Sequence, residues 1–191
     1  MYRYLVSCAF IAVVILASGI YFFPQYWEHR YDDLIARQAR VYRIDERLVW
    51  SLIYEETWFQ AWKIGADEEV GLMQVTPGVA REWAKETSLK VFERQAADNV
   101  VEFLRDPERN IQVGCWYFEK IRERYRGRPA ETAMTLAAYN AGQSRVEEWT
   151  KDADARQMSE TDFISRIGIA STRAYVSSIL ERYRAEEAKK R

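Results

Sequence analysis

The chain has few of the residues from which metal, thiol and nucleic-acid sites are built. Its 191 residues include two cysteines and one histidine, and 28 Lys and Arg are balanced by 29 Asp and Glu. No His, Cys and Asp residues cluster at metal-ligand spacing, so we expect no metal and no other cofactor. No basic cluster interleaved with aromatic residues is present, which argues against nucleic acid as a partner.

Neither cysteine has an evident partner for a disulfide. Cys8 lies in a long uncharged run near the N-terminus, and Cys115 lies in a second apolar stretch. We therefore expect a fold that is stable without a disulfide. Cys115 is predicted to be a small core residue rather than a nucleophile.

The N-terminus carries a run of residues without charge, from Tyr4 to Phe23. A helix of that length spans roughly 30 Å, the thickness of a bilayer's hydrocarbon core. Arg3 precedes the run and the flank after it has no net positive charge, so the positive-inside bias places the rest of the chain outside the cytoplasm. We predict a membrane anchor at residues 1–23. A cleaved signal peptide is the alternative, because Ala17-Ser18-Gly19 resembles a cleavage site.

The rest of the chain shows helical rather than strand periodicity. Residues 24–43 are charged and aromatic, which predicts a short helix or a stiff juxtamembrane stalk. Residues 44–187 are predicted to form one mainly α domain. Within it, residues 60–75 lack helical periodicity and predict a loop with at most a small β-hairpin.

Capping residues predict where several helices begin. Asp45 is a plausible N-cap, and Thr76-Pro77 and Asp106-Pro107 each combine a cap with a proline at the first helical position. Ser144 and Glu147 have the spacing of a capping box, which predicts a further helix start.

The first candidate for chemistry is a carboxylate near the end of an apolar helix. Glu55 and Glu56 follow a run of apolar core positions, and Trp58 and Phe59 come directly after them. A carboxyl group among aromatic side chains is poorly solvated, which raises its pKa and keeps it protonated near neutral pH. Adjacent helix positions point about 100° apart, so only one of the two glutamates can face a given cleft. On the helix alone, an ordinary surface or Arg-paired glutamate is the better interpretation.

Two later motifs change that balance. Gly71-Leu72-Met73-Gln74 joins a glycine to an amide that donates and accepts hydrogen bonds, which suits sugar hydroxyls and acetamides. Ala137-Ala138-Tyr139-Asn140-Ala141-Gly142 joins small residues, a phenol and an amide to a helix-ending glycine. Each motif alone is more simply a turn or a helix end, but three motifs in this order are improbable by coincidence.

Together these motifs resemble the lytic transglycosylases, a family that cleaves bacterial cell-wall glycan and is related to goose-type lysozyme. The resemblance covers about residues 45–185 and implies a lysozyme-like helical domain. The family's Glu-Ser-x-Phe corresponds to Glu56-Thr57-Trp58-Phe59, which makes Glu56 the counterpart of the catalytic acid. The substrate-binding residues implied by the matching motifs are Thr57, Gly71, Met73, Gln74, Tyr139 and Asn140.

One segment departs from the family pattern. The family often has Ser, and later Gly-Ala, ahead of Gly-Leu-Met-Gln, whereas this chain has Gly65 and then Glu68-Glu69. The missing hydroxyl removes one polar contact from the cleft. The additional acids are expected to alter which glycan or peptide substituents are accepted.

The resemblance implies a non-hydrolytic reaction on peptidoglycan strands. Glu56 would protonate the oxygen between N-acetylmuramic acid and N-acetylglucosamine, then accept the proton of the muramoyl C6 hydroxyl as a 1,6-anhydro ring closes. Together with the predicted anchor and its flanking charges, it implies a single-pass protein of the bacterial inner membrane with its domain in the periplasm. The sequence does not indicate which envelope proteins bind this chain.

Two other functions remain open at this point. A hydrolytic muramidase would need a base for water, and Asp67, Glu68 or Glu69 could serve, although solvated loop acids are the simpler interpretation. A glycan-binding or scaffold module could have kept the cleft without turnover.

Overall fold

The helix starts predicted at Asp45, Thr76 and Asp106 are confirmed in the computed structural model, which describes residues 2–87, 99–152 and 154–189. Residues 88–98, for which the sequence indicates no clear element, lie outside that range. The helices of the described residues are α1 (Tyr2–His29), α2 (Asp32–Val41), α3 (Glu46–Thr57), α4 (Pro77–Glu86), α5 (Val100–Arg105), α6 (Pro107–Glu123), α7 (Glu131–Ala141), α8 (Gln143–Thr150), α9 (Glu160–Arg166) and α10 (Ala170–Lys189).

Side-chain caps fix the starts of three helices that position the site. Asp45 accepts a hydrogen bond from the backbone of Arg47 at the start of α3. Thr76 and Asp106 cap α4 and α6 in the same manner. These bonds satisfy amide groups that have no partner inside the helix, so a short polar residue there sets where the helix begins.

The capping box predicted at Ser144 and Glu147 is wrong. α8 begins at Gln143, and its N-cap is Gly142, which has a φ of 89° and no side chain to accept a bond. The same glycine ends α7. Because α7 passes into α8 without a linker, Ser144 lies inside the helix rather than ahead of it.

The N-terminal part of the chain is helical and exposed. α1 continues through Pro24, beyond the predicted end of the anchor. A helical stretch from Ile11 to Val41 is long and apolar enough, by length and composition, to cross a membrane, and none of its apolar window is buried. A signal sequence near an N-terminus has the same properties, so the anchor stays a prediction.

The segment predicted as a stalk contacts the domain. α2 lies within residues 24–43, and its Ile35 and Ala39 are buried against α3 and α6. At the end of α1, the indole nitrogen of Trp27 donates to the carbonyl of Trp58 over 2.8 Å. The boundaries of the three predicted units remain a prediction.

The core lies between α3, α6, α7 and α10. α10 packs against α3 and α7, and α6 packs against α7, so the ends of α3 and α7 meet beside α10. Among the largest fully buried side chains are Phe59, Trp83, Phe118 and Phe163. Cys115 is buried and free, as expected of a core residue. This packing determines which side chains can share a cleft.

The loop between α3 and α4 is held to α6 by one buried amide. Isolated antiparallel bridges join Ile64 to Val70 and Val70 to Val75, and the described residues form no longer strand. Asn110 of α6 accepts from the Met73 amide over 2.8 Å. Its Nδ2 donates to the carbonyls of Val70 and Leu104 over 2.7 and 2.9 Å. This side chain therefore holds the loop against α6.

Asn110→Ala should lower the free energy of unfolding by about 3 kcal/mol, because it removes three buried hydrogen bonds to backbone groups. Urea denaturation of the full chain in detergent micelles measures the change. Gln157→Ala truncates an exposed amide and should change stability by less than about 0.5 kcal/mol. Equal effects of the two substitutions would show that Asn110 does not hold the loop.

Candidate active site

A cleft lies between the end of α3, the following loop and the end of α7. Its opening is bordered by the start of α4 and by α6, which contribute Val79 and Tyr117. The polar residues of its lining include Glu56, Asp67, Glu69, Gln74, Tyr139 and Asn140. The structure therefore brings Glu56 together with Gln74, Tyr139 and Asn140, four of the residues that the sequence predicts for the site.

The carboxyl group of Glu56 is partly buried at the inner side of this cleft. The hydroxyl of Tyr175, on α10, donates to its Oε1 over 2.6 Å. Burial raises the pKa of Glu56 to about 7, although the hydrogen bond from Tyr175 and the positive charge of Lys63 lower it. A group with this pKa is protonated in a large fraction of molecules near neutral pH, and it can also lose its proton there.

Glu55 faces away from the cleft and binds two side chains of another helix. Its Oε2 accepts from the hydroxyl of Ser178 over 2.6 Å and forms an ion pair with Arg182 at 3.1 Å. Both partners are on α10. The two adjacent glutamates therefore have separate environments, as the angle between neighbouring helix positions requires.

A tight turn ends α3 directly after Glu56. Trp58 and Phe59 have φ angles of 48° and 61°, in the left-handed region that most residues avoid. The turn leaves Trp58 exposed and Phe59 fully buried. The buried Phe59 holds the end of the helix, and so the backbone of Glu56, against the core.

Thr57 does not line the cleft. Its side chain is buried, and its hydroxyl lies 3.2 Å from the carbonyl of Ile53 and 3.1 Å from that of Leu72. The structure therefore places this residue, which the sequence predicts to bind substrate, between α3 and the loop. It connects the helix that carries Glu56 to the turn that carries Gln74.

Gly71 and Met73 form the floor of the turn rather than its cleft-facing surface. Gly71 has a φ of 76°, and a Cβ there would lie 2.8 Å from both Cγ of Asn110 and the carbonyl of Leu104, so only glycine fits. Met73 is fully buried, with its side chain directly against Gly114 of α6. Both residues shape the site without reaching its opening.

Gln74 is the residue of this turn that faces the cleft. It has a φ of 45°, and its Nε2 donates to the carbonyl of Gly71 over 2.9 Å. The bond fixes the amide plane and so the direction of the amide oxygen. Gln74 is therefore a fixed hydrogen-bonding group on the cleft wall.

Tyr139 and Asn140 connect α7 to the loop and to α10. The hydroxyl of Tyr139 donates to the carbonyl of Met73 over 2.7 Å. Oδ1 of Asn140 accepts from the hydroxyl of Thr172 over 2.7 Å. Burial raises the pKa of Tyr139 well above its ordinary value, so its hydroxyl keeps its proton and remains a donor.

Tyr175 contacts the candidate acid, and the sequence did not predict it as a site residue. Tyr175 lies within the range of about residues 45–185 that the resemblance covers, but the contact with Glu56 joins residues 119 positions apart. Val176 and Ile179 are buried beside it, which indicates that this face of α10 points inward. That burial pattern was visible in the sequence; the partner of the phenol was not.

The described residues contain no group of three or more His, Cys, Asp or Glu side chains that could hold a metal ion. The chemical groups of the cleft are a carboxyl group with a pKa near neutrality, two further carboxylates, fixed amides and two phenols. Such a set can bind hydroxyl and acetamide groups and can transfer a proton.

Comparison with known proteins gives the same family for sequence and fold. The chain is 27% identical to the soluble lytic murein transglycosylase of Escherichia coli K12 over 164 residues, which are 81% of this chain and 23% of that protein. It is 27% identical to membrane-bound lytic murein transglycosylase C of Edwardsiella ictaluri over 122 residues, 62% of this chain and 33% of that protein. The chain therefore spans a quarter to a third of the length of these curated relatives.

Solved structures share the fold. The 70-kDa soluble lytic transglycosylase of Escherichia coli matches with a TM-score of 0.69 and 26% identity, over 80% of this chain and 23% of that one. The same enzyme in complex with bulgecin A matches with a TM-score of 0.69. An inactive mutant of the lytic transglycosylase Slt of Pseudomonas aeruginosa matches with a TM-score of 0.70 and 24% identity, over 82% of this chain and 24% of that one.

These matches confirm the predicted lysozyme-like helical fold. The model of the transglycosylase SLT domain matches residues 33–161, which include α3, the loop, α6 and α7. Since the match covers most of the chain and all the elements that form the cleft, the chain belongs to the transglycosylase SLT domain family.

Proposed function

We propose that this protein is a lytic transglycosylase that cleaves the β-1,4 bond between N-acetylmuramic acid and N-acetylglucosamine in peptidoglycan. The product carries a 1,6-anhydromuramoyl end, and Glu56 acts first as acid and then as base. The observation that carries the proposal is the partly buried carboxyl group of Glu56, with its pKa raised to about 7, at the wall of a cleft in this fold. The relatives named as lytic murein transglycosylases support the substrate class.

The acid step follows from the burial of Glu56. A carboxyl group that is protonated near neutral pH can donate to the glycosidic oxygen as the bond breaks. Gln74 and Asn140 line the same cleft and offer amide groups to sugar hydroxyls and acetamides. They orient the glycan so that the bond lies beside the acid.

The base step follows from the partners of Glu56. Once ionised, the carboxylate is stabilised by the hydrogen bond from Tyr175 and by the positive charge of Lys63. It then accepts the proton of the muramoyl C6 hydroxyl, whose oxygen attacks the anomeric carbon. Glu56 is protonated again at the end, so one residue serves both steps and no second catalytic acid is needed. Thr57, Gly71 and Met73 do not contact the glycan but hold the turn that carries Gln74 beside Glu56.

The same proposal includes the location of the protein. α1 would anchor the chain as a single pass in the bacterial inner membrane, with the domain in the periplasm, where peptidoglycan is found. The exposure of the apolar stretch of α1 and the relative named as membrane-bound support an anchor.

A hydrolytic muramidase is the second candidate, because Asp67 and Glu69 line the cleft together with Glu56. Either carboxylate could direct a water molecule to the anomeric carbon in place of the C6 hydroxyl. Mass spectrometry of the fragments released from purified peptidoglycan decides between the reactions. We expect anhydromuramoyl ends, which are one water molecule lighter; reducing ends would support the muramidase.

Glu56→Gln should lower the rate of peptidoglycan cleavage by about 10³-fold, since an amide cannot donate the proton. The matched control is Glu55→Gln, which removes a neighbouring carboxylate that faces α10 and should keep the rate within about threefold. Release of soluble fragments from labelled sacculi measures both variants. Equal clearing by wild type and Glu56→Gln would refute the catalytic role of Glu56.

The pH profile tests the contact with Tyr175. Wild-type activity should fall as the pH rises through about 7, because Glu56 then loses the proton that it must donate. Tyr175→Phe removes a donor to the ionised form, which raises the pKa of Glu56, so the alkaline limb should move to higher pH.

Tyr183→Phe is the control for that experiment. Tyr183 is also on α10, but its hydroxyl donates to Asp45 over 3.1 Å and not to Glu56. It should leave the alkaline limb in place. An unshifted limb in Tyr175→Phe, or a shift to lower pH, would contradict the role given to the phenol.

A further inference from the structure

Gly65 leaves a space on the cleft wall that a carboxylate fills. A Cβ at position 65 would collide with Oε2 of Glu69 and would lie 2.9 Å from Oε1 of Gln74. Both contacting groups are side chains of cleft-lining residues. Glycine at position 65 and glutamate at position 69 are therefore matched. The side chain of Glu69 fits here only because residue 65 has no side chain.

The carboxylate of Glu69 is held in that space by the turn itself. Its Oε2 accepts from the backbone amide of Asp67 over 2.9 Å. The backbone carbonyl of Glu69 accepts from the amide of Gly65 over 2.7 Å, which closes the turn beneath the side chain. Glu68, between them, has a φ of 64° and is exposed. The bend at Glu68 directs Glu69 back over Gly65 rather than into solvent.

We propose that Glu69 is a positioning residue of the cleft, whose carboxylate takes the place left open by Gly65 and acts on Glu56 through its negative charge. The proposal rests on the role of Glu56 in the proposed function. It assigns a purpose to the acidic loop that departs from the family pattern at residues 65–69. Glu69 does not itself exchange a proton with the glycan.

Charged and titratable groups surround Glu56 on every element packed against it. The negative charges of Glu69 and Glu55 raise the pKa of Glu56, and the positive charge of Lys63 lowers it. From α7 and α10, the phenols of Tyr139 and Tyr175 keep their protons, because burial raises the pKa of each well above its ordinary value. Glu55 is already paired with Arg182, whereas Glu69 forms no ion pair within the part of the chain that the structure describes, so its charge acts on Glu56 without being neutralised.

The sign of the expected effect follows from this arrangement. A negative charge beside Glu56 disfavours its ionised form, so neutralising Glu69 makes Glu56 more acidic. In Glu69→Gln the titration midpoint of Glu56 should move to lower pH. The proton donor is then lost earlier as the pH rises, and cleavage at pH 8 relative to pH 6 should fall by about two- to fivefold.

The test follows the carboxyl carbon of Glu56 by NMR. The full chain, labelled with ¹³C in its Glu side chains and held in detergent micelles, is titrated, and the Glu56 resonance is assigned by its loss in Glu56→Gln. The midpoint should move down in Glu69→Gln. The matched control is Glu68→Gln, which removes the adjacent exposed acid outside the cleft and should leave the midpoint unchanged. An unchanged midpoint in Glu69→Gln would overturn the proposal.

A second pair of variants tests the match between positions 65 and 69. Gly65→Ala should displace the Glu69 carboxylate and change the Glu56 midpoint in the wild-type background. In a Glu69→Ala background the collision with the carboxylate is gone and only the contact with Oε1 of Gln74 is left, so Gly65→Ala should change the midpoint less than it does in wild type. The same change in both backgrounds would show that the two positions are not coupled. Thermal unfolding of each variant distinguishes a local change from loss of the fold.

The two proposals can fail separately in these experiments. If Glu69→Gln lowers the Glu56 midpoint but wild type releases no anhydro product, the positioning role stands and the proposed reaction fails. If wild type releases the product and Glu69→Gln leaves both the midpoint and the pH profile unchanged, the reaction stands and the positioning role fails.

Discussion

The burial of one carboxyl group at the junction of α3 and α10 is the constraint on which the site depends. An ionised carboxylate is costly in a poorly solvated position, so Glu56 holds its proton to about pH 7. Its neighbour Glu55 instead accepts a hydrogen bond from Ser178 and forms an ion pair with Arg182, and both interactions compensate for lost solvation. Both environments are made by α10, since it offers a phenol to one glutamate and a cation to the other. The packing of α10 on α3 therefore decides which of two adjacent acids is the chemical one.

The loop after α3 is built to keep the cleft open beside that acid. Asn110 holds the loop from α6, and Tyr139 holds the carbonyl of Met73 from α7. Thr57 joins the loop to the end of α3. Because side chains from three helices form hydrogen bonds with the same short turn, Gln74 has one orientation without a long β-sheet to support it. The motifs that resemble the family therefore largely supply the contacts between the loop and these three helices.

The sequence predicted the helical fold, and four of its predicted site residues lie together in one cleft. Helix starts at Asp45, Thr76 and Asp106 depend on local capping chemistry, so they were predictable. Glu56 was separable from Glu55 only through the family pattern. The contact with Tyr175 was not predictable, because it pairs residues 119 positions apart. The capping box at Ser144 failed because Gly142 serves two helices at once, which local spacing does not reveal.

The raised pKa of Glu56 also makes the stability of the domain depend on pH. The pKa of Glu56 is raised from 4.5 to about 7, so between these values the folded chain keeps a proton that the unfolded chain has released. Stability therefore falls as the pH rises through this window. Glu69 adds to the effect by keeping a negative charge beside Glu56, while Tyr175 and Lys63 reduce it. The turn at Gly65 places that charge in the cleft, where it disfavours the ionised form of Glu56. An unfavourable interaction of this kind is expected where a group must hold its proton until it is used.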